Sequence, residues 1–340
     1  MLPMSDMIKI ENLEAVRGEK KTGYMNVGET AVGNVQIPLA IINGTRAGPT
    51  VCISGGVHGY EYSSILAVIR VIRQINPMKL SGALLIVPVL NLAGFETRGP
   101  QGGQSTPFQN PIDGINLNRI FPGNPDGTLS YQIVAAFMSK VVSHAEYYID
   151  CHGGDLNEEL TSYIGVAQTG NREKDNLARE ILAASFNSEF ISLSYGGGSS
   201  IDAAAKMGIP SIRVEAGGYG RVEEEAVKFT TDGINNVLKK LNMMEGAPVP
   251  TQKQRIRQRW SSYVKRGGVC HPLPLGTRVK KGDKVAEVWS IFGELLESIE
   301  SPVDGYICFR RNPIPVSTND RVVQIVPDED LPPPPSRPYP

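Results

Sequence analysis

The stretch VCISGGVHGYEYSSILAVIR, residues 51–70, decides the fold. It opens with an apolar run of strand length that ends in two glycines. From Glu61 onward the apolar residues recur at helical spacing, and the pattern EYSSILAVIRVIRQI continues to Asn76-Pro77, where the proline stops it. A short, continuously apolar strand followed at once by an amphipathic helix is the building unit of an α/β sheet covered on both faces. His58 and Glu61 stand in the turn between the two elements, in a chain that has only four histidines.

The same alternation extends outward. ALLIVPVL (83–90) reads as a second buried strand, followed by a loop rich in Gly, Pro, Gln and Asn over residues 91–125. Loops of that length inside a compact domain tend to be functional. A helix (129–145), strands YYIDCH (147–152) and LTSYIGVA (160–167), helices over 174–186 and 199–208, a strand (209–217) and a helix (221–241) complete the pattern. Upstream, residues 7–45 read as short strands with turns, Asn43-Gly44 among them. Downstream of the linker NMMEGAPVPTQKQ there is no helical period, and GTRVKKGDKVAEVWS and ESPVDGYICFRR loosely repeat one another. The expected division is an N-terminal β segment (1–47), an α/β domain (48–243), a barrel-like β domain (250–328) and a Pro-rich tail (329–340).

Composition narrows the function. Apolar residues make up 41 % of the 340, enough for a substantial core, and the formal net charge of −1 argues against a general nucleic-acid binder. No apolar run approaches the roughly 18 residues of a membrane span, and the start of the chain has no signal-peptide core. The four cysteines form no C-x-x-C pair, which points to neither a disulfide framework nor a cysteine metal site. These features predict a soluble, cytoplasmic protein without nucleic-acid or membrane partners; a homo-oligomer stays open.

Three expected strand ends carry polar residues that a buried strand does not need: His58 and Glu61 after VCISGG, His152 after YYIDC, and Glu215 after SIRV. Glycines follow each of them and permit close approach of backbone and substrate. Two imidazoles and a carboxylate can form a three-ligand zinc site with an open position for water, and a spare carboxylate can serve as general base. H-x-x-E alone is common by chance, and for His58 by itself a turn with Glu61 in a first helical turn would suffice. The repetition at three strand ends favours the metal.

With H-G-Y-E at 58–61, D-C-H-G-G at 150–154, N-L-N-R at 116–119 and V-E-A-G-G at 214–218, the sequence resembles the succinylglutamate desuccinylase/aspartoacylase family. N-L-A-G-F-E-T-R at 91–98 and G-G-S-S-I-D at 197–202 extend the likeness over about residues 48–242. The resemblance implies a three-layer α/β/α mixed sheet of zinc carboxypeptidase type, followed by a small all-β domain. It implies one zinc per chain held by His58, Glu61 and His152, with Glu215 activating the water and passing its proton to the leaving amine. Arg98 is matched to an oxyanion-stabilising arginine, and Asn118 and Arg119 to the pair that holds a substrate carboxylate. Tyr219 is a candidate pocket tyrosine, Asp150 a candidate to orient His152, and Arg213, on the same strand face as Glu215, a supporting group.

The expected activity is zinc-dependent hydrolysis of the amide bond of an N-acyl amino acid or similar small amide. Metallocarboxypeptidase and esterase activities stay open on the same machinery; a non-catalytic binding protein is disfavoured by retention of the full ligand set. The C-terminal β domain looks like a biotinyl/lipoyl half-barrel, but Val303-Asp304-Gly305 replaces any carrier lysine at its turn. It is therefore expected to shape the active-site entrance or an oligomer interface.

Overall fold

A computed structural model describes residues 6–97, 108–154, 156–194, 197–311 and 315–331. Arg98 and most of the Pro-rich tail lie outside the described residues. An antiparallel ribbon, β1 (Met7–Ile10) and β2 (Leu13–Val16), leads into β3 (Glu19–Thr30), β4 (Gly33–Asn43), β5 (Arg46–Gly55), β6 (Ser81–Val87) and β7 (Tyr147–His152). After β8 (Glu158–Leu160) come β9 (Tyr163–Ala167), β10 (Phe190–Ser194), β11 (Ser211–Glu215) and β12 (Arg255–Ile256). Nine of these build one mixed sheet in the order β12-β10-β9-β11-β7-β5-β6-β4-β3. Its centre, β11-β7-β5-β6, is parallel, and β9 and β4 run antiparallel to their neighbours β11 and β6.

The strands read as unbroken apolar runs because both faces are covered. Cys52, Leu85 and Tyr148 pack into one apolar layer with Phe137 of α3 (Leu129–Lys140) and Ala204 of α5 (Ser200–Lys206). Their immediate successors Ile53, Ile86 and Ile149 pack into the other, with Val68 of α1 (Tyr62–Gln74) and Ile234 of α6 (Glu224–Lys240). This is the expected three-layer α/β/α arrangement. Two short helices, α2 (Leu92–Glu96) and α4 (Arg172–Asn176), lie in the connections. The helix expected over 174–186 continues from α4 as a π turn, Leu177–Leu182, which places Ala178, Leu182 and Ala183 in the core.

Other expectations are corrected. The N-terminal strands are long, not short: β3 has 12 residues and β4 has 11, and both extend the main sheet. LTSYIGVA is not one strand. Its start, β8, leaves the main sheet, the chain breaks at Thr161-Ser162, and only β9 remains with β11.

The C-terminal region folds into two sheets. One holds β13 (Trp260–Tyr263), β15 (Arg278–Val279), β18 (Gly305–Arg311) and β20 (Arg321–Pro327); the other holds β14 (Gly268–Pro272), β16 (Lys284–Trp289), β17 (Leu295–Glu300) and β19 (Pro315–Val316). They enclose a core of their own that includes Val285, Val288, Ile307, Val323 and Ile325. This β module is tied to the α/β layers by β8, which pairs antiparallel with β18 in the register Leu160↔Phe309 and Glu158↔Arg311. Arg310 Nε donates to Glu159 Oε2 (2.5 Å) along the same seam. β12 makes the reverse excursion and joins the main sheet beside β10.

Candidate active site

β5, β7 and β11 are parallel neighbours, so their carboxyl ends lie together, which is where open α/β sheets collect functional residues. His58 sits in the turn after β5, and Glu61 is the residue from which α1 starts. His152 and Glu215 are the last residues of β7 and β11 and face each other in register. The glycines that follow let the loops touch: a Cβ on Gly153 would come 2.5 Å from the Ala216 carbonyl oxygen, and one on Gly218 would come 2.2 Å from that of Glu158. Gly154 N–H donates to the Gly217 carbonyl (2.8 Å), locking the two strand ends together.

His58, Glu61 and His152 are all buried, and their ligand atoms lie within 4.8 Å of one another. His58 Nδ1 is 2.7 Å from Glu61 Oε1, and His152 Nδ1 is 3.0 Å from Glu61 Oε2. The second contact is close but lacks hydrogen-bond geometry, which leaves Glu61 Oε2 a buried oxygen without a hydrogen-bond partner. The far nitrogens are turned away: His152 Nε2 donates to Asp150 Oδ2 (2.9 Å), and His58 Nε2 to Asn116 Oδ1 (3.3 Å). Asp150, fully buried, also accepts from Ser54 Oγ (2.6 Å) and from Ser200 Oγ. Both imidazoles are thereby oriented with Nδ1 toward the Glu61 carboxylate, His58 at Oε1 and His152 at the unpaired Oε2. Two nitrogens and a hard oxygen held in this way fit a zinc ion.

The electrostatics agree with a site built for positive charge. Burial works against ionisation of Glu61, yet the His152 and His58 imidazoles outweigh it and pull its pKa down to about 2. Burial likewise opposes charge on His152, but Asp150 and Glu61 raise its pKa well above the ordinary value. Burial holds Glu158 above the usual carboxyl range in spite of Arg321 and Arg311.

Glu215 Oε1 lies 2.7 Å from Arg213 Nε and accepts from the Tyr163 hydroxyl at 3.4 Å. Strand alternation placed Arg213 and Glu215 on one face, and the ion pair follows from it. Burial disfavours the Arg213 cation, and Glu215 more than offsets this.

These groups line a cavity of about 200 Å³. Asn118 and Arg119 border it too: Asn118 Oδ1 accepts from Ser200 N–H (3.3 Å), and Arg119 Nη1 donates to the Asn118 carbonyl (2.9 Å). Tyr219 does not border it, because its hydroxyl donates to Glu159 Oε2 (2.8 Å) on the seam with the β module. Sequence reasoning missed Tyr163, whose apolar strand setting gave no signal. It also missed Arg259, Phe309, Arg321 and Gln324, which reach the cavity from the C-terminal β module. A larger cavity of about 480 Å³ near Met138 and Met207 is mostly apolar and gathers none of these groups.

Residues 47–241 match the succinylglutamate desuccinylase/aspartoacylase catalytic domain, more than half of the chain. The chain belongs to this family. Along 338 residues it is 28 % identical to N-alpha-acetyl-L-2,4-diaminobutyric acid deacetylase of Halomonas elongata, an alignment spanning 95 % of this chain and 94 % of the relative. Among family structures, a succinylglutamate desuccinylase/aspartoacylase from Rhodobacter sphaeroides superposes with a TM-score of 0.84 at 24 % identity, covering 96 % of this chain and 100 % of that one. The product-bound ectoine utilization protein EutE (DoeB) from Ruegeria pomeroyi gives 0.82 at 23 %, covering 95 % and 99 %. These coverages extend the shared fold past the family's catalytic domain and through the C-terminal β module. Among the described residues no helix is long and apolar enough to cross a membrane.

Proposed function

We propose that this chain is a zinc-dependent deacylase that hydrolyses the amide bond of a small N-acyl amino acid, with an N-acetylated diamino acid as the first substrate to try. The Glu61 carboxylate held between two oriented imidazoles, with Oε2 lacking a hydrogen bond, is the observation that carries the metal, and the end-to-end similarity to a diaminobutyric acid deacetylase supports the substrate class. His58, Glu61 and His152 would hold the ion, with Asp150 and Asn116 fixing the rings. A bound zinc supplies Lewis-acid polarisation of a carbonyl and of a water.

The rest is done by the chain. Glu215, at the neighbouring strand end, takes the proton of the attacking water and returns it to the leaving nitrogen. Arg213 and Tyr163 hold Glu215 Oε1, which leaves Oε2 free for that proton. The β module roofs the cavity at about 200 Å³, and this small volume favours a short amide over a peptide C-terminus. Arg98, the oxyanion arginine of the resemblance, lies outside the described residues and enters no step.

Elemental analysis of wild type and His152→Ala tests the proposal, alongside hydrolysis of N-acyl amino acids and short peptides. About one zinc per chain in wild type is expected, lost in the variant together with activity. Correctly folded wild type that takes up no stoichiometric zinc would refute the catalytic reading. Cleavage of peptides in preference to N-acyl amino acids would move the chain to the peptidases.

A further inference from the structure

The hairpin that joins β16 to β17 ends in the turn Ser290-Ile291-Phe292-Gly293-Glu294. Local bonds fix its shape. Gly293 N–H donates to the Ser290 carbonyl (3.0 Å), and Ser290 N–H donates to the Glu294 carbonyl (2.8 Å). Ser290 Oγ accepts from the N–H groups of Phe292 (3.2 Å) and Glu294 (3.1 Å). Gly293 supplies the left-handed residue, at φ 85°, that closes such a hairpin. The central positions of a turn usually go to Gly, Pro, Asn, Asp or Ser. Here they hold Ile291 and Phe292, 81 % and 87 % exposed, with Leu295 beside them at 54 %. Single exposed apolar residues need no explanation, whereas three together on a fixed turn mark a contact surface. A matching hollow lies on the α/β layers. The apolar cavity of about 480 Å³ is open, and its walls include Val27 of β3, Ala135 of α3, Pro122, Pro125 and the exposed Met207.

We propose that two copies of this chain pair about a two-fold axis, each seating its Ile291-Phe292 turn in the other's cavity beside Met207. The turn is exposed and the cavity open in one and the same chain, so neither fills the other within a copy. A cavity of that volume has room for more than one apolar side chain, and a methionine wall adapts to what enters. Charge complements shape. Glu294 stands on the turn, and Lys206 directly precedes Met207; both are exposed, and neither has an ion-pair partner among the described residues. Docking brings these opposite charges to the edge of an apolar centre, the arrangement of a polar rim around a buried anchor. A knob that fits a pocket elsewhere on its own kind makes a closed dimer only when the contact is reciprocated. Reciprocation buries both turns and leaves neither copy with one exposed. The contact uses none of the groups around the metal cluster.

Sedimentation velocity of the full chain over about 1–100 μM tests the pairing. Wild type should form a dimer. Phe292→Ser and Met207→Glu, both changes at exposed positions, should each weaken it about tenfold or more at unchanged melting temperature, as loss of a buried anchor implies. The decisive sample is a mixture of the two variants. A Phe292→Ser copy keeps its cavity and a Met207→Glu copy keeps its turn, so a mixed pair has one intact contact where each variant alone has none. Mixing should therefore restore dimers that neither variant forms by itself. Glu294→Lys and Lys206→Glu should each weaken the dimer, and both together in one chain should recover most of the loss. A wild type still monomeric at about 100 μM, growth past the dimer, a dimer indifferent to either variant, or a mixture no more associated than its components would each overturn the proposal. Should Phe292→Ser melt early by circular dichroism, Ile291→Ser takes its place in the mixture and decides by the same criterion.

Discussion

The pocket has two halves of different construction. On the nine-stranded sheet, the functional side chains end strands or stand in the turn into α1, and neighbouring groups fix them: Asp150 behind His152, Arg213 beside Glu215. On the β module, Arg259 precedes β13, Phe309 lies in β18, and Arg321 and Gln324 lie in β20; the guanidinium groups rest on ring faces and an amide. The first half has the rigidity that bond-making chemistry needs. The second is polar and rests on ring faces, and on the deacylase reading it is the half that selects.

If that division is right, damage to the sheet half should appear in kcat and metal content, and damage to the module half in KM. The largest effect is expected for Glu215→Gln, which should lower kcat by roughly 10²–10⁴-fold while elemental analysis finds the metal retained. A drop in metal content instead would make Glu215 a ligand and blur the division of roles. Asp150→Asn should come next, weakening zinc by roughly 10–100-fold in competition with a chelator, since it removes the charge behind His152 while keeping its shape. Gln324→Ala, which frees Arg259 from its brace, should raise KM up to about tenfold with kcat nearly unchanged; an equal fall in kcat would place the module in the chemistry. Arg310→Ala removes a partly buried ion pair from the seam and should cost about 1 kcal/mol or less in chemical denaturation.

Acid and base should also separate the metal from the protein. In chelator-treated protein, Glu61 is held below its ordinary 4.5, so its contribution is present above pH 4.5 and is lost as pH falls toward about 2. His152 is held above its ordinary 6.5, so its contribution is present below pH 6.5 and is lost as pH rises through the elevated value. The melting temperature without metal should therefore sag on both sides of the interval from 4.5 to 6.5. Zinc, which needs the neutral imidazole, should restore the alkaline side and not the acid side. A melting profile in which zinc protects equally at both extremes would show that the cluster is not where it binds.

The same contrast explains what could be read in advance. His58, Glu61, His152 and Glu215 were legible because a polar residue at the end of an apolar run, followed by glycine, has few structural uses. The two covered faces of the sheet were legible because continuous apolar strands require them. The strand LTSYIGVA was misread because Leu160 and Tyr163–Ala167 share one apolar texture, although they pair with different sheets. Arg259 and Arg321 resemble any solvent-facing arginine until β8 and β18 bring the module over the cavity. Nothing in the sequence shows that Tyr219, a candidate pocket tyrosine, is aimed at Glu159 instead.

The seam between β8 and β18 has a consequence for how the protein matures. Arg310 and Glu159 are 151 positions apart, so this pairing joins regions that leave the ribosome well separated in time. Strand pairings of such long range form late, and domains generally fold first from the N-terminal side during synthesis. The metal cluster can assemble as soon as β5, β7 and α1 are in place, whereas the roof must wait for β18 and β20. On the deacylase reading, a growing chain should thus bring its metal ligands together before it can choose a substrate, and the ability to discriminate should be the last property it acquires.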